Sequence, residues 1–479
     1  MNLQNSQRFT QHLLWRAGFF DSPQEVRRLS MMQVDEVVNE LFSKSEVAED
    51  LNSVSAGLLE GMTPQKKKGL NKEEKQKLTE QFRDENIELN RAWISRMATT
   101  EATLRERMTF FWMSHFATAV PVPAFNQQFN NLVRKNALGS FADLLLEVSK
   151  SPSMILYLNN QQNRKDHPNE NFAREVMELF TLGRGNYSEQ DIKESARAFT
   201  GWSFDASGNY FFRQFQHDDG IKTIFSKSGN FSGEDVIQML LAKKETASHI
   251  VRKIYFHFVN EEANDIRIGE LADFFFSNHY DISLLMKKIF TSDWFYEEEN
   301  IGTRIKSPVE LMAGMMRMFS LDFGNEMVIP ALQKLLGQIL FFPPNVAGWP
   351  GGKTWIDSST LLLRLRIPQF VFNAEEVNLQ TKDDFSVDPS MLKFQQLSFS
   401  GKFQLKDLQA TYNWNNILSA FSGTAHEKLL QQLHNYFLQT NSEIAAGDLF
   451  SDISSISDHE SKIKTIAIRL MSLPEYQLN

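Results

Sequence analysis

Residues 159–202 read NNQQNRKDHPNENFAREVMELFTLGRGNYSEQDIKESARAFTGW, and this stretch decides the fold. It contains two short apolar patterns at helical spacing, separated by glycines. The first comprises Phe172, Val176, Leu179 and Phe180, and the second comprises Ile192, Ser195, Ala196 and Phe199. Gly183 is typical of a helix end, and Ser188 with Asp191 is typical of a capping box. The stretch therefore predicts a tight hairpin of two helices with residues 183–187 in the turn.

Paired charges lie on this hairpin, and Glu175 with Glu178 is the pair of greatest chemical interest. At a spacing of three, both carboxylates can lie on neighbouring faces of one helix, as metal-binding carboxylates do in helical bundles. The sequence lacks the histidine that usually follows such a glutamate by three residues, so we predict no metal site. The alternative is a structural network in which Arg174 meets Glu178 and Glu175 meets Arg197.

The stretch that follows the hairpin carries the strand signals of the sequence. Apolar residues alternate around a Gly-Asn pair and predict a β-hairpin near 203–217. His217 and Asp218 come next, in a turn. Their side chains either bond the local backbone or form an acid–base pair.

Aromatic side chains concentrate in two further stretches. Neighbouring aromatic residues surround His115, so we interpret it as a buried structural imidazole, with a ligand or acid–base role as the alternative. Prolines and glycines in residues 343–352 predict a rigid loop that displays Trp349 and Trp355. With Arg364, these tryptophans form a stacking, cationic wall for a ligand, or they close the helical array.

The composition excludes several classes of protein. The 479 residues carry a net charge of −9, which argues against a nucleic-acid-binding protein. The absence of cysteine excludes disulfides, thiolate catalysis and cysteine-ligated metals. No apolar run reaches the length of a membrane span, and residues 1–21 lack the pattern of a signal peptide. We therefore expect a cytoplasmic protein, with export as the alternative.

The motifs of the hairpin resemble the signature of a bacterial family called domain of unknown function 1800. The matching residues are 169–175, 178–183, 187, 189–191 and 198–202. Further blocks agree in order at 12–19, 111–116, 217–222, 342–349 and 473–478, so the resemblance runs nearly end to end. The sequence departs from it at Phe20, where the family tends to have Gly, and at Met113-Ser114, where it tends to have His-Asn.

The resemblance implies a partner but no reaction. The family has no established activity, and its members are often encoded beside a protein similar to alkaline phosphatases and sulfatases. Such a protein is therefore an expected partner of this chain. The departure at Met113-Ser114 argues against a mechanism that needs paired histidines in that block.

The patterns together predict a mainly α fold, a large multi-helix array with one small β-hairpin excursion near 203–217. We expect an N-terminal helical lobe in residues 1–150 and a central lobe with the family motifs in 151–372. Residues 373–479 are expected to form a polar excursion, at 380–412, and closing helices. The three parts are expected to make one domain at the level of the family.

Three functions remain open at this point. The first is a helical accessory protein that binds a partner, or an anionic small molecule or glycan, in an arginine- and tryptophan-lined cleft. Its expected binding residues are Arg174, Arg184, Arg197, Trp349, Trp355 and Arg364. The second is a metal-assisted or acid–base hydrolase, whose candidate catalytic residues are His217, Asp218, Glu175 and Glu178. The third is a structural scaffold. No cofactor is assigned to any of them.

Overall fold

The computed structural model of the chain describes residues 6–54, 69–373, 410–440 and 450–479. Most of the polar excursion predicted for residues 380–412 lies outside the described residues, which begin again at residue 410.

Helices make up most of the described chain. The first eight are α1 (Gln7–Ala17), α2 (Pro23–Ser30), α3 (Val34–Lys44), α4 (Lys72–Thr99), α5 (Thr103–His115), α6 (Pro123–Asn136), α7 (Phe141–Lys150) and α8 (Pro152–Tyr157). The predicted hairpin follows as α9 (Asn171–Glu178) and α10 (Glu189–Ala198). The remaining helices are α11 (Gly233–Leu241), α12 (Lys244–Phe258), α13 (Asp265–Ser277), α14 (Ile282–Phe290), α15 (Pro308–Phe319), α16 (Val328–Leu336), α17 (Ser358–Asn373), α18 (Asn415–Phe421), α19 (His426–Phe437) and α20 (His459–Met471). The mainly α prediction is confirmed.

Three two-stranded antiparallel sheets accompany the helices. They pair β1 (Trp202–Phe204) with β2 (Tyr210–Phe212), β3 (Lys222–Ile224) with β4 (Lys227–Gly229), and β5 (Asp322–Phe323) with β6 (Ala410–Thr411). The first pair is the predicted β-hairpin. The second pair was not predicted, because its turn places Phe225 and Ser226 at φ values of 47° and 63° without the glycine or asparagine that normally marks such a turn.

Local signals explain the α9–α10 hairpin. Ser188 and Asp191 form the predicted capping box at the start of α10, each bonding the other's backbone N–H. The chain leaves α9 through Gly183 at a φ of 75°, and an added Cβ there would lie 2.8 Å from Nδ1 of His249. Glycine at this position therefore allows both the left-handed turn and the close approach of α12.

The apolar faces of the hairpin join a single buried core. The rings of Phe172 on α9 and Phe199 after α10 meet edge to face at a centroid distance of 4.9 Å. The continuous cluster of buried apolar side chains also contains Trp15, Trp112 and Tyr436. It thus includes residues of all three expected parts of the chain, whose division into lobes stays a prediction.

Every described helix is too short or too polar to cross a bilayer.

Candidate functional site

A cleft of about 960 Å³ opens beside the C-terminal end of α5. Its walls come from residues 111–115 of α5, residues 253–257 of α12, the loop 260–264, residues 303–304 and the glycine-rich segment 347–354. These segments are distant in sequence, so the cleft is a product of tertiary packing.

One part of the cleft is built around Lys253. Its Nζ donates hydrogen bonds to the carbonyl of Leu179, at 2.9 Å, and to Nδ1 of His115, at 3.2 Å. Nε2 of His115 lies 3.3 Å from the carbonyl of Phe180 and must donate to it, so Nδ1 is the acceptor. Burial lowers the pKa of Lys253 to about 8. Burial and then the charge of Lys253 lower the pKa of His115 well below its ordinary value.

His249 belongs to the same network, one helical turn before Lys253. Its Nε2 lies 3.2 Å from the carbonyl of Leu179, and burial followed by the charge of Lys253 lowers its pKa to about 4. Carbonyls at the end of α9 therefore receive hydrogen bonds from two neutral imidazoles and one amine. These contacts satisfy acceptors that a helix end leaves open.

A second part of the cleft wall contains Arg304 and His257. Arg304 is only 6% exposed, and its Nε and Nη1 have no hydrogen-bond partner, although Nη1 lies 3.6 Å from Oε1 of Glu310. Nε2 of His257 is buried and unpartnered as well, and its ring packs on Phe111 at 5.1 Å. Burial, and then the charges of Arg107 and Arg304, lower the pKa of His257 well below its ordinary value. The imidazole is therefore neutral.

Arg304 also belongs to a buried arginine cluster. The cluster is formed by Arg16, Arg107 and Arg304 around the carboxylate of Glu310. Arg107 pairs with Glu310, and Nη2 of Arg16 donates to two backbone carbonyls at 2.9 and 2.8 Å. Nε and Nη1 of both Arg16 and Arg107 have no hydrogen-bond partner. Burial opposes ionisation of Glu310, but Arg107 and Arg304 outweigh it and hold the pKa well below its ordinary value.

The segment 347–354 forms the rim of the cleft. Trp349 is half-buried in it. Gly348 has a φ of 85°, and an added Cβ would overlap a backbone carbonyl of α5, so glycine lets the rim approach that helix. The carboxylate of Glu261 lies against Gly352, where a Cβ would also overlap it. The rim thus combines an aromatic ring with a carboxylate.

Of the six predicted binding residues, only Trp349 lines this cleft. Trp355 is 6% exposed and does not line it. Arg364 is fully buried and donates to the carbonyl of Lys306 at 2.9 Å. It does not line the cleft, and the carboxylate of Glu310 partly offsets the lowering of its pKa by burial.

The three arginines of the hairpin lie outside the cleft and have carboxylate partners. Arg174 pairs with Glu170 and Glu189, Arg184 with Glu178, and Arg197 with Glu194 and Asp218. An ion-pair network is therefore present, but its partners are not those the spacing suggested.

The candidate catalytic groups fall into two local networks. Nδ1 of His217 lies 2.9 Å from the carbonyl of Thr200, and Arg197 lowers the pKa of Asp218 through a 2.7 Å hydrogen bond. A hydrogen bond from Tyr187 and then pairing with Arg184 lower the pKa of Glu178. Burial, and then the charge of Glu178, raise the pKa of Glu175.

Sequence reasoning missed the basic residues of the cleft, although α12 carried a readable signal. His249, Lys253 and His257 recur every four residues, so they form a polar stripe along one face of α12. Arg304 carried no comparable signal, because its neighbours in the cluster come from α1, α5 and α15.

In the described ranges, no group of three or more His, Asp and Glu side chains is placed so that it could hold a metal ion.

Comparison with known proteins places the chain in a family. Residues 12–478 match the family model described as protein of unknown function (DUF1800). Neither a curated protein nor a solved structure matches the chain. The match spans the hairpin, the polar stripe of α12, Arg304 and the rim. The chain therefore belongs to the DUF1800 family.

Proposed function

We propose that the protein binds an anionic ligand in the cleft, and that a sugar bearing a sulfate or phosphate ester is the class that fits best. The observation that carries the proposal is Arg304, a guanidinium that lines the cleft although it is only 6% exposed, and that shares its one carboxylate partner, Glu310, with Arg107. Arginine stays protonated and offers a planar fork of donors, which suits the oxygens of such esters.

The charge behind the wall supports an anion at this position. Arg16, Arg107 and Arg304 share the single buried carboxylate of Glu310. Buried charges are normally paired, because an unpaired one loses its hydration without compensation. An ester group at Arg304 would add negative charge and acceptors where cations are in excess.

The rim supports a sugar as the body of the ligand. Trp349 and Phe256, which is 36% exposed, offer apolar faces on which a pyranose ring can stack. Glu261, Glu262 and Asn264 line the same cleft and supply acceptors for hydroxyl groups. The cleft thus has a cationic wall at Arg304 and a polar and aromatic rim. This arrangement suits a ligand with one charged end and several hydroxyls.

The partner implied by the family resemblance is compatible with this ligand. A protein similar to alkaline phosphatases and sulfatases would act on phosphate or sulfate esters. We propose that this chain and such a partner handle the same class of esterified sugars.

Calorimetric titration with glucose 6-sulfate, glucose 6-phosphate and unmodified glucose tests the proposal. We expect both esters to bind, and Arg304→Gln to weaken them by about tenfold or more, since a charge-assisted hydrogen bond contributes roughly 1.5–3 kcal/mol. Trp349→Ala should weaken all three sugars, because it removes the stacking surface and leaves the cations in place.

Arg252→Gln is the matched control. Arg252 also lies on α12 but is exposed, pairs with Asp265 and does not line the cleft. It should leave every affinity unchanged. Equal binding of glucose and its esters, or equal loss in the two arginine variants, would contradict the proposal. Melting curves confirm that each variant is folded.

A second candidate function is acid–base hydrolysis by the hairpin carboxylates, with His217 and Asp218 as further groups. It is favoured by the opposite pKa shifts of Glu175, which is raised, and Glu178, which is lowered. Neighbouring carboxyls shifted apart in this way are typical of acid–base pairs.

Turnover of p-nitrophenyl phosphate and sulfate tests this candidate. Loss of activity by about a hundredfold or more in both Glu175→Gln and Glu178→Gln would support it. Activity that is absent, or unchanged in the variants, would contradict it. A protein with neither turnover nor binding would match the scaffold hypothesis.

A further inference from the structure

We infer that Lys253 is an amine nucleophile that forms an imine with an aldehyde carbonyl in the cleft. The inference rests on the proposed function only in placing a ligand in that cleft, and it extends the ligand class to sugars or sugar fragments with a free aldehyde.

The contacts of Lys253 leave its reactive electron pair unoccupied. A neutral amine has two N–H groups and one lone pair. The carbonyl of Leu179 and Nδ1 of His115 accept from the two N–H groups, at 2.9 and 3.2 Å. Both acceptors are fixed, since His115 is itself held by the carbonyl of Phe180. The lone pair is therefore left for a third direction, and Lys253 lines the cleft.

The surroundings increase the fraction of Lys253 that is present as the neutral amine. Among the described residues, no carboxylate forms an ion pair with Lys253. The neighbouring imidazoles of His115 and His249 are neutral and supply no counter-charge. Burial lowers the pKa of Lys253 to about 8. Near neutral pH, roughly a tenth of the amine is then unprotonated, whereas an ordinary lysine is almost wholly charged.

The reaction balances without an oxidant or reductant. Nζ attacks the carbonyl carbon, a C–N bond forms and the C=O π pair moves to oxygen. The nitrogen gives up a proton to that oxygen, with Nδ1 of His115 adjacent to relay it. A second proton from solvent lets the oxygen depart as water while the nitrogen lone pair completes the C=N bond. The protonated imine then loses the added proton.

The cleft accommodates both ends of such a ligand. Lys253 and Arg304 line the same cavity, the first for the aldehyde and the second for the ester. A short aldehyde phosphate carries both groups, and an uncharged aldehyde carries one. The two probes therefore separate the imine inference from the anion-binding proposal.

Reductive trapping of the full chain tests the inference. The protein is incubated with glycolaldehyde phosphate or with glycolaldehyde, together with cyanoborohydride, and adducts are mapped by peptide mass spectrometry. We expect Lys253 to be modified at least about ten times faster than Lys244, an exposed lysine on the same helix. Lys253→Arg should abolish that adduct while it retains the positive charge and the cap on α9.

Each outcome has one meaning. Modification of Lys253 at the rate of Lys244 with both probes would overturn the inference and leave Lys253 as a structural cap. Fast modification by both probes, with no advantage for the phosphate, supports the imine and contradicts anion binding at Arg304. An advantage for the phosphate that disappears in Arg304→Gln supports both.

Discussion

At the scale of single residues, Glu310 is the carboxylate on which the buried arginine cluster depends. It is 1% exposed, pairs with Arg107 and lies 3.6 Å from Nη1 of Arg304. Both cations would stay buried without it. We therefore expect the arginine cluster to depend on the carboxylate of Glu310 for its stability.

Glu310→Gln should lower the free energy of unfolding by roughly 3–5 kcal/mol, because it leaves buried cations without their counter-charge. Urea denaturation measures the loss. The control is Asp273→Asn, which removes an exposed ion pair with Lys244. That variant should match the wild type, and similar losses in both would show that burial of the cluster is unimportant.

Lys253 should make stability depend on pH in a defined window. Its pKa is lowered to about 8 from 10.5, so the unfolded chain binds more protons than the folded chain between these values. The free energy of unfolding therefore rises with pH across this window. His115 and His249, which face the amine, are neutral throughout. Denaturation of wild type and Lys253→Met on both sides of the window should show a growing advantage for the wild type; a constant difference would contradict it.

The sequence singled out two cleft residues, Trp349 and His115, and missed others for a physical reason. Trp349 was visible because prolines and glycines fix a loop around it, which is a local signal. Arg304 has neighbours 197 and 6 residues away, Arg107 and Glu310, and only tertiary packing brings these together. The position of Lys253 in the polar stripe of α12 could be read from the sequence. Its acceptor, the carbonyl of Leu179 after α9, could not.

At the scale of elements, the α9–α10 hairpin was predictable because its signals are local. The capping box and the buried faces appear where the spacing placed them. The ion partners were not predictable in the same way. Arg174 turns across the hairpin to Glu189 instead of bonding Glu178 along its own helix, since Glu178 is already held by Arg184 and Tyr187.

Ser188→Ala should cost about 1 kcal/mol of stability, because it removes the side-chain acceptor that caps α10. Ser188→Asp keeps an acceptor at the same place and should retain most of that stability. Thermal melting of the two variants measures the difference. Equal losses would mean that the cap contributes little.

Gly348→Ala should disturb the rim of the cleft. The added Cβ would overlap the α5 backbone at a φ of 85°, so Trp349 should move away from the cleft and ligand affinity should fall. Gly269→Ala on α13 is the control, because nothing lies within 4 Å of its Cβ position and it does not line the cleft. Calorimetry should show normal affinity for this control, and parallel losses would contradict the explanation.

At the scale of the whole molecule, contacts between distant segments hold the ends of the described chain together. Arg16 on α1 donates to backbone carbonyls of Asn300 and Asn479. Nζ of Lys306 donates to the carbonyl of Tyr476 and lies 3.8 Å from the ring centre of Trp15. No local pattern in the sequence indicated these pairings.

Such a core should unfold in a single transition. We expect the far-ultraviolet circular dichroism and the tryptophan fluorescence of the full chain to change with the same midpoint in urea, because the buried cluster contains residues of every part of the described chain. Two separated midpoints would instead support independent lobes at 1–150, 151–372 and 373–479.

The carbonyl of Leu179 links ligand occupancy to the hairpin. It accepts hydrogen bonds from Lys253 and His249, so the amine that would react in the cleft also closes the end of α9. Once that nitrogen is bound in an imine, it has fewer protons to donate, and the closing turn loses a contact. Imine formation and closure of this helix end would thus compete for one nitrogen, so we expect the end of α9 to loosen when the amine reacts.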